Sequence, residues 1–82
     1  MATHQITIRR CFWELNLRSA AKRLRKMLIM RGMEPSMGWA TGDLAIEVNG
    51  SQVYSFKQEK RLLDDTALIS RVRAKVWETR SF

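Results

Sequence analysis

The stretch RRCFWELN, residues 9–16, holds the chain's single cysteine, Cys11, with the carboxylate of Glu14 three positions on. A thiolate attacks disulfides, and neighbouring cations or a helix N-terminus favour the thiolate over the thiol. Arg9, Arg10 and a helix start near Asn16 are groups of that kind, while the negative charge of Glu14 opposes them. Dithiol exchange further requires a second thiol to resolve the mixed disulfide within the same molecule. No second cysteine exists here, and a carboxylate cannot take its place. Cys11 is then either a packed side chain or a lone nucleophile that needs an external resolver such as glutathione.

Other reactive constellations are sparse. His4 is the only histidine, so with one thiol there is no tetrahedral zinc set, and no metal is expected. Asp64 and Asp65 are adjacent, a pattern that suits a helix cap better than paired acid and base work. Ser55 has no identifiable base. Neither a Walker loop, a Gly-x-Gly-x-x-Gly run nor a Gly-x-Ser-x-Gly elbow is present, so no cofactor is expected.

What the chain does carry is charge. Its 82 residues have a formal net charge of +7. Residues 1–31 contain Arg9, Arg10, Arg18, Lys22, Arg23, Arg25, Lys26 and Arg31 against Glu14 alone, whereas acids and bases balance in the remainder. An acidic partner should therefore meet the N-terminal half.

The elements that must position these groups can be read from periodicity. In QITIRR, Ile6 and Ile8 alternate with Thr7 and Arg9, as in a half-buried strand. Asn16 is placed to cap a helix over residues 17–31 that Gly32 ends. Leu17, Ala20, Ala21, Leu24, Met27 and Leu28 share one face of it, and Arg18, Lys22, Arg25 and Lys26 the opposite one. Ile29 falls among those cations, and Met27, Met30, Met33 and Met37 gather near the helix end with Trp39. Residues 33–43 read as irregular chain with one short strand. LAIEV and SQVYSF then flank Asn49 and Gly50, a type I′ hairpin signal, in a register that sets Ile46 against Val53. After KQEKRLL, Asp64 and Asp65 start a last helix whose buried stripe is Leu68, Ile69, Val72 and Val76.

The order strand, helix, short strand, hairpin, helix suits a mixed sheet with helices packed on it. This is an α/β (α+β) sandwich of the thioredoxin kind or a ferredoxin-like relative. A chain this short buries only roughly 60% of its unfolded surface and makes one domain, here residues 1–82. No apolar run approaches the roughly 20 residues that cross a bilayer. MATHQITIRR lacks the apolar core of a secretory signal, and one cysteine builds no disulfide framework, so a cytoplasmic location is expected.

Residues 41–69, TGDLAIEVNGSQVYSFKQEKRLLDDTALI, resemble the C-terminal half of the selenoprotein W-like family, which includes the migration and invasion enhancer proteins. Thr41, Gly42, Leu44, Ile46, Gly50, Val53, Ser55 and Lys57 follow its pattern in order, the hairpin turn being made by Asn49 and Gly50. Gln52, Phe56, Lys60, Arg61 and Leu63 depart from it, and the closing TRSF has no prenylation motif. The resemblance extends more weakly over Cys11 and the first helix. It implies a thioredoxin-like fold and a Cys-x-x-Cys or Cys-x-x-selenocysteine pair, where this chain reads CFWE. Cys11 matches the first member, and Glu14 stands where the second would be.

The expectation is a degenerate domain of this kind, probing its surroundings through a basic interaction surface rather than through dithiol chemistry. Arg18, Lys22, Arg25, Lys26 and Ile29 are the residues expected to meet an acidic protein partner. A monothiol role for Cys11 with glutathione is one alternative. Nucleic-acid binding through the cationic helix is another, although Phe12, Trp13, Tyr54 and Phe56 form no recognisable stacking motif.

Overall fold

The computed structural model describes residues 5–80, with side chains through residue 78. His4 lies outside the described residues. The chain forms β1 (Ile6–Arg10), α1 (Leu15–Met30), β2 (Ser36–Trp39), β3 (Leu44–Val48), β4 (Ser51–Ser55), α2 (Phe56–Glu59) and α3 (Asp65–Arg80). The strands make one sheet in the order β2-β1-β3-β4. β1 and β2 run parallel, as a crossover helix between them requires, while β3 pairs antiparallel with both β1 and β4.

Alternation decides which strand residues meet the helices. Ile6, Ile8, Leu44, Ile46 and Val48 are buried together with Leu17, Ala20, Ala21, Leu24 and Leu28 of α1 and Leu68, Ile69 and Val72 of α3. α1 packs on β1 and β3, α3 on β3 and β4, and the two helices touch. Arg23 Nε donates to Asp65 Oδ2 at 2.9 Å and ties the two helices at the surface. The opposite sheet face carries Arg9 and Glu47, which pair across the strands at 2.7 Å.

The helix ends differ in how far they follow the sequence signals. Gly32, at φ +78°, closes α1 as expected: its N–H donates to the Ile29 carbonyl and that of Met33 to the Leu28 carbonyl, the paired bonds of a Schellman stop. At the other end Asn16 is not the cap. α1 starts two residues earlier, at Leu15, with Glu14 in the cap position but making no side-chain cap bond. The Glu14 carbonyl still accepts from Arg18 N–H at 3.0 Å, so the helical ladder begins there without side-chain help. For α3 the signal holds: Asp64 Oδ1 accepts from Ala67 N–H at 2.8 Å.

The hairpin turns through Asn49 and Gly50, both at positive φ. Its register is not the expected one. Val48 opposes Ser51 and Glu47 opposes Gln52, but a bulge then leaves Val53 unpaired and sets Tyr54 against Ile46. The extra residue rotates the Tyr54 ring onto the helix-facing side, where it is buried. Its hydroxyl donates to the Arg61 carbonyl at 2.7 Å. The segment after β4 is also more ordered than its composition suggests, since Ser55 caps the short α2 and Lys60 leaves it in a left-handed conformation, φ +58°.

Candidate basic groove beside Cys11

β1 delivers Arg10 and Cys11 to the mouth of α1. Cys11 is 0% exposed and belongs to the apolar core. The next residues, Phe12, Trp13 and Leu15, are exposed, as is Glu14. The thiol and the carboxylate three residues on are thus segregated, one in the core and one in water.

Arg10 follows Ile6 and Ile8 on the helix-facing side of β1, but at the strand end, where no helix covers it. Its guanidinium lies 4.1 Å from the centroid of the Trp39 ring and donates to the Gly38 carbonyl at 2.9 Å. The Phe12 ring meets Trp39 edge-on, with centroids 5.7 Å apart and planes at 63°. Arg18 in turn sits 5.3 Å from the Phe12 ring. Two cations therefore flank a pair of exposed aromatic rings along one rim, each guanidinium held by a π face.

Below that rim a groove of about 520 Å³ runs between α1 and the edge of the sheet. Arg10 and Met37 line it from the strands, and Leu15, Arg18, Ser19, Lys22 and Arg25 from the helix. None of the four cations is in an ion pair within the described residues, where the salt bridges are Arg9 with Glu47, Arg23 with Asp65, Arg71 with Glu59 and Lys75 with Glu78. Uncompensated like charges around a concave, partly apolar surface raise the local concentration of anions.

Of the expected partner-binding residues, Arg18, Lys22 and Arg25 come together in this groove. Lys26 and Ile29 are exposed further along the surface of α1 and do not line it. Met27, Met33 and Met37 pack against the core, while Met30 is 82% exposed. Sequence spacing alone does not bring Arg10, Phe12 and Trp39 into such a site. The signal for Arg10 was available in the alternation Ile6, Ile8, Arg10; that for Trp39 lay in the pairing of β2, which sequence does not show.

Thr41, Gly42, Asn49, Gly50 and Ser55 lie elsewhere and shape the backbone. Gly42 turns at φ +61° beside the exposed Thr41. Asn49 Oδ1 accepts from Gln5 N–H at 2.9 Å, joining the hairpin to the start of β1. Ser55 is buried, and its hydroxyl donates to Asp43 Oδ2 at 3.0 Å while accepting from Gln58 N–H. Among the described residues no group of three His, Cys, Asp or Glu side chains could hold a metal ion, and no helix is long and apolar enough to cross a membrane.

The sheet order, the parallel β1 and β2 joined through α1, and the two helices on one face define a thioredoxin-like α/β protein. Within that class the likeness is to selenoprotein W-related proteins. The crystal structure of a selenoprotein W-related protein from Vibrio cholerae is 28% identical, covering 92% of this chain and 99% of that one, with a TM-score of 0.73. A crystal structure from Bordetella parapertussis, 23% identical over 90% of this chain and 99% of that one, has a TM-score of 0.74 and shares the fold. No family model and no curated protein matches the sequence. The resemblance read in residues 41–69 thus extends over most of the chain in three dimensions.

Proposed function

We propose that this chain is an interaction module that binds an acidic protein segment in the basic groove and performs no dithiol exchange. The observation that carries this reading is the set of Arg10, Arg18, Lys22 and Arg25 around one groove without a carboxylate partner among the described residues. Phe12, Trp39 and Met37 beside them add the apolar surface on which protein partners gain affinity. Two facts support the absence of dithiol chemistry: Cys11 is fully buried, and Glu14 occupies the place that the family resemblance assigns to the second thiol.

The test is a titration with a labelled acidic peptide, in competition with a single-stranded oligonucleotide of equal charge. Combined Arg18→Glu, Lys22→Glu and Arg25→Glu substitution is expected to weaken peptide binding by at least about 100-fold, or ~2.8 kcal/mol. All three side chains are exposed, so circular dichroism should show an intact fold. Peptide affinity indifferent to the charge reversal, or an oligonucleotide that displaces the peptide at equal concentration, would overturn the reading.

A further inference from the structure

The groove has a second wall that charge alone does not explain. β2 is the outermost strand of the sheet, and among the described residues no strand lies beside its free edge. Ala40 N–H points back to β1, donating to the Arg10 carbonyl at 3.0 Å. Backbone groups alternate in direction along a strand, so those of Met37 and Trp39 point outward, away from β1. Met37 lines the groove itself, and Trp39 stands at its rim. The cationic side of α1 thus faces a groove whose other wall is an open sheet edge.

We infer that the acidic partner binds as an added β-strand along the free edge of β2, with alternate acidic side chains turned up to Arg18, Lys22 and Arg25. This deepens the proposed function and rests on it. In such an added strand every second side chain points to the helix layer, and those side chains recur about every 6.6–6.8 Å. Because α1 returns from the end of β1 to the start of β2 while packing on β1 and β3, it runs antiparallel to β2 with the groove between them. Arg18 and Lys22, four residues apart, are offset by about 6.0 Å along the helix axis, a close match to that repeat. Main-chain hydrogen bonds then supply affinity, and the cations select Asp or Glu at alternate positions.

The opposite edge of the sheet is closed to the same use. β4 is bulged at Val53, and Arg71 Nη1 already donates to the Val53 carbonyl at 3.3 Å. A second copy of this chain is a poor occupant of the β2 edge, because edge-to-edge pairing would bring two uncompensated cationic grooves together.

The experiment uses two capped nine-residue peptides of identical composition, one alternating Glu with Val and one with the same residues in blocks. The alternating peptide is expected to bind about tenfold tighter. Amide exchange at Met37 and Trp39 should slow in its complex, and N-methylation of the peptide amides on one edge should abolish binding while methylation on the other edge leaves it. Equal binding of the two peptides, with Met37 and Trp39 exchanging as in the free protein, overturns strand addition and leaves the acidic-partner reading standing. Failure of both peptides to bind overturns that reading too.

Discussion

Arg10 lays its guanidinium over the Trp39 ring at 4.1 Å and so joins the ends of β1 and β2 by their side chains as well as by their backbones. Only a planar, delocalised cation can both stack on the indole and donate in-plane to the Gly38 carbonyl. Trp39 is 59% exposed, which places the interaction at the weaker end of its range, about 0.5–1 kcal/mol. Arg10→Lys and Trp39→Leu, measured singly and together by urea unfolding, should show a coupling of that size. Simple additivity of the two would mean that the stacking contributes nothing.

Cys11 should behave as a core residue. Alkylation in native buffer is expected to be slow and to reach the free-thiol rate only as the chain unfolds. Cys11→Ala leaves a small cavity, whereas Cys11→Ser places a hydroxyl among apolar neighbours at a cost of about 1–3 kcal/mol. The serine variant should therefore unfold at lower denaturant than the alanine variant. Rapid alkylation of the folded protein would instead point to frequent opening of the β1 to α1 junction, and would return Cys11 to the list of reactive thiols.

Much of the fold was legible because its residues satisfy local and tertiary demands at once. The stripe Leu17, Ala20, Ala21, Leu24 and Leu28, the stop at Gly32 and the turn at Asn49 and Gly50 each have a local cause, and each stands where periodicity put it. The errors fall where tertiary packing overrides a local rule. Asn16 is a good cap by type, yet the helix begins before it. Val53 suits a strand, yet the larger apolar gain of turning Tyr54 inward bulges the hairpin at that point. The site was half legible. The cations of α1 follow from helical spacing, but their second wall, Arg10 and Met37, depends on β1 and β2 pairing across the 25 residues that separate them.

Asp43 is the hub that fixes the transition from β4 into α2. Its Oδ1 accepts from Leu44 N–H at 2.8 Å and Lys57 N–H at 2.9 Å, and its Oδ2 from the Ser55 hydroxyl at 3.0 Å. Asp43→Ala removes a charged acceptor and strands a buried hydroxyl, a loss of about 1.5–3 kcal/mol. Ser55→Ala loses one cap and one donor to Asp43 and should cost less, about 1 kcal/mol. Thermal unfolding of the two variants should rank them in that order; the reverse order would mean that Ser55, not Asp43, organises the corner.

Tyr54 gives the fold a predictable alkaline limit. Burial, first, and then the carboxylates of Glu59 and Asp43 push its phenol above the ordinary value of 10.0, against the opposing pull of the Leu63 backbone and Arg71. The folded protein then holds the phenolic proton at a pH where the unfolded chain has released it. Stability falls with pH wherever the folded state binds more protons, so this contribution is fully present below pH 10.0 and is lost as pH rises towards the raised value. Tyr54→Phe removes the titration together with the bond to the Arg61 carbonyl. The variant should be less stable than the parent at neutral pH by about 1 kcal/mol. Its deficit should shrink in urea melts above pH 10.0, where the parent alone must keep a phenol neutral or bury a phenolate. A deficit that stays constant across that range would mean that Tyr54 ionises as readily in the folded chain as in the unfolded one.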